Sequence, residues 1–102
     1  MSRVDPNAAI AEVGKVYPQG CSGLVCYLLG RPWKSAASFS MGSSVGSNGS
    51  YTGLSPGDLV GFPGHVAVYV GGDRQFVDVN GAGGICRRLN SYGSTVVYKV
   101  SY

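Results

Sequence analysis

A cysteine at position 21 stands where a polypeptide chain can make a thiol reactive. The segment 21–29 is predicted to form a short buried helix that ends at Gly30 and Pro32. The start of a helix carries a partial positive charge and unpaired N–H groups, and both lower the pKa of a thiol placed there. The same N–H groups can hold the oxyanion of a carbonyl under attack. Cys21 is therefore a candidate nucleophile; the alternative is a small buried residue or half of a disulfide.

The only histidine of the chain, His65, could serve as the base for that thiol. It opens a strand predicted over 65–70, in which Ala67 and Tyr69 share its face and the three valines point the other way. The small side chain of Ala67 leaves room for a helix end. If the Cys21 helix packs on that face, thiolate and imidazole can meet. The alternative is a surface histidine in a turn.

A third polar residue would fix the orientation of the imidazole. Asp78 and Asn80 share one face of the next predicted strand, 75–80, which follows a hairpin turn at 71–74. A two- or four-residue turn puts Asn80 opposite His65 and Asp78 one step diagonal, whereas a looser turn brings Asp78 opposite. The spacing leaves both registers open, and Asp78 could also be a strand-end residue bonded to backbone or water.

The elements that must position these residues run from helices to strands. A first helix is predicted over 5–16, with Asp5 as its N-cap and Pro6 in its first turn. The Ser/Gly-rich segment 35–53 is predicted to be a long loop, either functional or a flexible connector. Strands are predicted over 59–62, 65–70, 75–80, 85–89 and 95–102. We therefore expect one α+β domain over residues 1–102, with N-terminal helices packed on an antiparallel sheet of about five strands.

Composition and charge exclude several classes of protein. With 44% hydrophobic and 13% charged residues, the chain is not a disordered polyelectrolyte. No apolar run approaches the roughly 20 residues of a membrane helix, and no apolar segment follows Arg3, so neither membrane insertion nor a signal peptide is expected. The net charge of +3 comes from scattered residues, so nucleic acid is not an expected partner, whereas an anionic cell wall is compatible.

The number and spacing of the cysteines indicate whether the chain could bind a metal or form a disulfide. Three cysteines leave at least one unpaired within the monomer, and three scattered cysteines with one histidine make a poor zinc site. We therefore expect no metal and no cofactor. Cys26 and Cys86 could form a disulfide, but we expect two free thiols.

Three blocks of sequence together resemble the NlpC-type cysteine peptidases, papain-like enzymes that cut peptide bonds in bacterial cell-wall peptidoglycan. The blocks are Cys21–Val25 (Cys-Ser-Gly-Leu-Val), Ser55–Val60 (Ser-Pro-Gly-Asp-Leu-Val) and Gly64–Gly71 (Gly-His-Val-Ala-Val-Tyr-Val-Gly). They occur in the order of the family, and the likeness extends over residues 8 to 100. The resemblance implies a papain-like NlpC-type core, with Cys21 as the nucleophile and His65 as the general base.

The resemblance also implies roles for other residues near the nucleophile. The third polar residue of the family follows two apolar residues on the strand after the histidine strand, and this match prefers Asp78 to Asn80. A tyrosine shortly before the cysteine is common in the family, and Tyr17 corresponds to it. The supporting and oxyanion residues are therefore predicted to be Tyr17, Ser22 and Asn80.

Two departures from the family pattern affect the site. The family usually has aspartate directly before the cysteine, where this chain has Gly20. The third residue is often histidine in the family; the carboxylate of Asp78 would favour the imidazolium more strongly and raise the pKa of His65.

The expected reaction is hydrolysis of an amide bond in a peptidoglycan stem peptide or crosslink, in the periplasm or outside the cell. Because no leader is visible, one hypothesis is an interbacterial toxin delivered by a specialised secretion system, with an immunity protein as its partner. A phage lysis factor and a catalytic fragment are the others. The alternatives to a hydrolase are a non-catalytic relative that binds wall peptides or a partner, and an acyltransferase or deamidase on the same scaffold.

Overall fold

One antiparallel sheet contains every strand of the protein that the structure describes. The computed structural model describes residues 3–102. Its strands are β1 (Val16–Tyr17), β2 (Ser40–Ser47), β3 (Ser50–Tyr51), β4 (Leu59–Phe62), β5 (His65–Tyr69), β6 (Phe76–Val79), β7 (Gly84–Leu89) and β8 (Val97–Ser101). They lie in the order β1-β7-β6-β5-β4-β8-β2-β3. The α-helices in these residues are α1 (Pro6–Ala11) and α2 (Gly20–Leu29), and a single 3₁₀ turn spans Ala36–Ser38.

The expected architecture, a papain-like NlpC-type α+β core with N-terminal helices on about five strands, is wrong. The described residues form mostly an eight-stranded antiparallel sheet, and the two α-helices are only 6 and 10 residues long. The five predicted strands are present as β4 to β8. The three further strands, β1 to β3, come from segments that were expected to be helix or loop.

The first of these segments is the predicted helix over 5–16, which ends early. Asp5 caps α1 as expected, because its side chain accepts from the N–H of Asn7, but the helix stops at Ala11. Gly14 then takes a left-handed φ of +96°. The chain leaves the helix there, and Val16 pairs with Ile85 at the edge of the sheet.

The second segment is the Ser/Gly-rich stretch, which forms the β2–β3 hairpin instead of a loop. Strand β2 pairs with β8 as well as with β3, so its polar sequence is held by backbone hydrogen bonds on both sides. Its register against β8 shifts twice, between Met41 and Ser44 and between Ser44 and Gly46. Such irregularities tolerate glycine, which weakens a regular strand.

The sheet separates two apolar clusters. The larger cluster joins α1 and α2 to one face of the sheet, and its fully buried members include Leu24, Val25, Val66, Val68, Val77 and Val79. The smaller cluster lies on the other face and contains Val45, Val60, Ala67, Phe76 and Val97. Helix α2 therefore packs on the valine face of β5. It does not pack on the Ala67 face, the arrangement considered for bringing the thiol to His65, because the larger aliphatic side chains of β5 point toward the helix.

In the described part of the chain, no helix has both the length and the apolar composition needed to cross a membrane.

Candidate active site

Cys21 lies in the first turn of α2, directly after a glycine in an unusual conformation. Gly20 has a left-handed φ of +69°. A Cβ atom at this position would lie only 3.1 Å from the carbonyl carbon of Gly81 and 3.2 Å from the nitrogen of Ala82. The turn after β6 thus packs against the residue before Cys21. An aspartate, which the NlpC-type peptidases that the sequence resembles usually have here, would be strained in both backbone and contacts.

The thiol of Cys21 is half-buried among hydrogen-bond donors. Burial raises the pKa of the thiol, but the hydrogen bond with the His65 side chain, a hydrogen bond from the backbone N–H of Val66 and the charge on His65 outweigh burial. A weaker backbone contact comes from Ser22. The pKa of Cys21 consequently lies below its usual value, which favours a thiolate.

His65 begins β5 and lies between the thiol and a carboxylate. Its Nε2 is 2.7 Å from Oδ2 of Asp78, which leaves Nδ1 for the thiol of Cys21. The ring stacks on Phe62 with centroids 5.0 Å apart and planes 26° from parallel. Burial lowers the pKa of His65, but the hydrogen bonds with Asp78 and Cys21 and their negative charges raise it to about 9. The imidazolium is thus the favoured form at neutral pH.

Asp78 reaches His65 along a diagonal of the sheet. Val68 pairs with Val77, so the next pair along these strands brings Asp78 opposite Ala67, and Asn80 falls opposite His65. The methyl group of Ala67 leaves the space over which the carboxylate extends. Asp78 is completely buried. Burial raises its pKa, but hydrogen bonds from His65, Arg87 and Tyr92 bring it down to about 2.

The thiol of Cys21 thus lies beside the imidazole of His65, whose Nε2 bonds to the carboxylate of Asp78. A lowered thiol pKa beside a raised imidazole pKa stabilises a thiolate–imidazolium pair. Such a pair can attack an electrophilic carbon through sulfur and donate a proton to a leaving group. The N–H groups that contact the sulfur can stabilise negative charge developing beside it.

The three predicted supporting residues lie around these side chains with different contacts. The hydroxyl of Tyr17 donates to the carboxylate of Glu12, and its ring lies 6.4 Å from that of Tyr27. Ser22 is nearly fully buried, and its Oγ accepts from Nε1 of Trp33 at 3.0 Å. The side chain of Asn80 is exposed after the end of β6. Nε2 of His65 donates to Asp78 and not to Asn80.

Two residues of the site were not found from the sequence. Arg87 lies opposite Asp78 on β7 and donates to it through Nε at 2.8 Å, although an arginine beside Arg88 looks like an ordinary solvated pair. Tyr92 lies in the turn between β7 and β8, and its hydroxyl donates to Oδ2 of Asp78. Periodicity could not find Tyr92, because it belongs to no strand. The alternation that places Asp78 on one face of β6 could have suggested a partner on β7.

The other two cysteines lie apart from this chain of contacts. Cys26 and Cys86 are buried and free. Burial, with Asp78 and Glu12 nearby, raises the pKa of Cys86 to about 11, so that thiol stays protonated. Within residues 3–102, no three side chains of His, Cys, Asp or Glu are grouped as ligands of a metal ion.

Comparisons with known protein families, with curated proteins and with solved structures find no match to this chain.

Proposed function

We propose that this protein is a cysteine hydrolase that cuts amide bonds in the peptides of bacterial peptidoglycan. The observation that carries the proposal is the position of the His65 imidazole, which bonds to the thiol of Cys21 on one side and to the buried carboxylate of Asp78 on the other. A cysteine nucleophile needs a base within hydrogen-bonding reach and a third group that orients the base.

The proposed reaction has two acyl-transfer steps. The Cys21 thiolate attacks the carbonyl carbon of the amide, and N–H groups at the start of α2 stabilise the oxyanion. As the C–N bond breaks, the His65 imidazolium gives its proton to the leaving amine, and a thioester to Cys21 remains. His65 then takes a proton from water, and the resulting hydroxide attacks the thioester. The acid leaves, and the thiolate–imidazolium pair is restored.

The substrate class rests on the three sequence blocks that resemble NlpC-type peptidases, since the fold does not reproduce the expected core. The net charge of +3 is compatible with an anionic wall polymer. We propose that the enzyme acts in the periplasm or outside the cell, and that delivery as a toxin would require an immunity protein as its partner.

The test is digestion of purified peptidoglycan, followed by mass spectrometry of the released muropeptides. We predict that the wild-type protein produces two fragments whose masses sum to the parent plus one water. Cys21→Ala should lower this activity at least about a thousandfold, because the nucleophile is lost. Cys26→Ala on the same helix is the matched control and should retain activity, since Cys26 is a buried core residue.

Three outcomes would contradict the proposal. If the wild-type protein leaves the muropeptides intact, peptidoglycan is not its substrate. A mass increase of about one unit without cleavage would indicate a deamidase, and products heavier than the parent would indicate an acyltransferase. If Cys21→Ala is as active as wild type, Cys21 is not the nucleophile.

A further inference from the structure

The carboxylate of Asp78 accepts hydrogen bonds from three side chains at once. Arg87 donates through Nε to Oδ1 at 2.8 Å, and its Nη2 lies 3.4 Å from Oδ2. The hydroxyl of Tyr92 and Nε2 of His65 both bond to Oδ2, the latter at 2.7 Å. An ionised carboxylate offers about four acceptor sites. Four contacts thus converge on this fully buried group, three of them on Oδ2 and one on Oδ1.

Tyr92 is held by rings as well as by its hydroxyl. Its ring meets those of Phe62 and His65 nearly edge-on, with centroids 5.2 and 5.5 Å away, and lies 5.2 Å from that of Phe76. These contacts hold the hydroxyl in place next to Asp78. Burial of the phenol and the negative charge of Asp78 raise the pKa of Tyr92, so the hydroxyl stays a donor.

Arg87 supplies the compensating charge. Its hydrogen bond with Asp78 raises the pKa of the guanidinium, so it stays protonated. A buried carboxylate without such donors would compete with the imidazole for the proton on Nε2. The donors from Arg87 and Tyr92 lower the pKa of Asp78, and the proton therefore stays on His65.

We propose that Tyr92 and Arg87 are positioning residues, which keep the Asp78 carboxylate ionised and turned so that Oδ2 faces His65. This arrangement fixes the proton on Nε2 and leaves the opposite ring nitrogen for Cys21. The inference rests on the proposed function, because Tyr92 and Arg87 act only through the pair that performs the chemistry.

The first test is Tyr92→Phe, which keeps the packed ring and removes one donor to Oδ2. Tyr69→Phe is the matched control: its ring also packs on Phe76, with centroids 5.9 Å apart, in the same apolar cluster. We expect Tyr92→Phe to lower kcat for muropeptide release about tenfold, with KM changed less than twofold. Tyr69→Phe should stay within twofold of wild type in both constants.

Two measurements separate positioning from packing and need no substrate. Carbon NMR of the aspartate carboxyls should show the pKa of Asp78 rising in Tyr92→Phe and unchanged in Tyr69→Phe. The rate at which iodoacetamide alkylates Cys21, followed against pH, should shift in Tyr92→Phe alone. If Tyr92→Phe matches Tyr69→Phe in both titrations and in kcat, Tyr92 only fills space and the proposal is overturned.

The second test compares two changes at Arg87. Arg87→Lys keeps the charge but loses the two-point contact, whereas Arg87→Met loses both. We expect activity to fall in the order wild type, Arg87→Lys, Arg87→Met, with the lysine recovering at least threefold over methionine. Equal activity in the two variants would overturn the role of the charge. A wild-type protein inert on peptidoglycan would overturn the proposed function alone, because the titrations of Asp78 and Cys21 would still report on positioning.

Discussion

His65 carries two hydrogen bonds that act on its proton in the same direction. Both Asp78 and Cys21 raise the pKa of the imidazole, which reaches about 9 in spite of burial. The imidazolium therefore persists at neutral pH, and the thiol beside it is the group that gives up its proton. The lowered pKa of Cys21 beside the raised pKa of His65 thus shifts the site toward the thiolate–imidazolium pair, the form that attacks a carbonyl.

Replacing Asp78 with asparagine tests this distribution of protons. In wild type, kcat/KM should fall above about pH 9, as His65 loses the proton it gives to the leaving amine. In Asp78→Asn the negative charge is gone, so the pKa of His65 falls and the alkaline limb moves to lower pH. We also expect kcat to drop about a hundredfold at neutral pH. The measurement is kcat/KM from pH 5 to pH 11.

Asp73→Asn is the control for that change, since Asp73 is exposed in the turn between β5 and β6. Its profile should superimpose on that of wild type. An alkaline limb that stays at the same pH in Asp78→Asn would show that the carboxylate does not set the protonation of His65.

At the scale of single residues, the sequence was sufficient to choose Cys21, His65 and Asp78 as candidates, and the structure brings them together. Cys21 was chosen because it begins a predicted helix, and His65 was chosen because it is the only histidine of the chain. The strand pattern alone left Asp78 and Asn80 open, because that choice depends on register, and the preference for Asp78 came from the resemblance to the NlpC-type peptidases. The role of Tyr92 could not be predicted, because a residue in an irregular turn has no sequence periodicity that indicates which way its side chain points.

At the scale of elements, the start of α2 is a tightly constrained junction in the site. Gly20 combines a left-handed backbone with close packing against the Gly81–Ala82 backbone. The same contact ties the turn that follows Asp78 on β6 to the residue preceding Cys21. Geometry at the nucleophile therefore depends on a fit between two backbones with no side chain between them.

Gly20→Ala should be costly for this reason. Alanine in a left-handed conformation costs about 1–2 kcal/mol, and the contact with Gly81 adds to it, so we expect a loss of about 2–4 kcal/mol in the free energy of unfolding. Gly53→Ala is the control, since Gly53 has a φ of +74° but nothing within 4 Å of the place where a methyl group would lie. It should lose only about 1 kcal/mol. Urea unfolding curves measure both.

Activity adds a second readout to this comparison. Gly20→Ala should also lose hydrolysis, because relief of the contact moves Cys21 away from His65. Equal unfolding midpoints for the two alanine variants would mean that the Gly81 contact contributes nothing.

Strands with alternating apolar residues could be predicted from the sequence. Strands that form only because they pair with a strand far away in the sequence could not. Residues 59–62 and 65–69 alternate or are apolar, and each pairs with its neighbour in the chain. The segment 40–47 has neither property; it is a strand because β8, far along the chain, pairs with it. Val16 and Tyr17 likewise join the sheet only through β7. Local propensity cannot report such pairings.

At the scale of the whole molecule, the site contributes to stability in a way that depends on pH. The folded pKa of Asp78, about 2, lies below the ordinary 3.8, so its contribution is present above pH 3.8 and is lost as the pH falls through about 2. The folded pKa of His65, about 9, lies above 6.5, so its contribution is complete below pH 6.5 and is lost as the pH rises through about 9. The two contributions overlap between about pH 4 and 6.5.

We therefore predict that the free energy of unfolding by urea is greatest between about pH 4 and 6.5, and falls on either side. The dependence should flatten in Asp78→Asn, which removes the acidic contribution directly and weakens the one at His65. A pH dependence as steep in Asp78→Asn as in wild type would show that the Asp78–His65 pair does not cause it.

The place of β8 in the sheet has a consequence for when this molecule can complete its fold. Although β8 follows the other described strands in the sequence, it lies between β4 and β2, and β4 in turn pairs with the strand that begins at His65. A nascent chain still held in the ribosome lacks that support until residue 101 has emerged. The strand that begins at His65 would thus gain its full support in the sheet only after translation has passed β8, and a product terminated before that strand would lack this support.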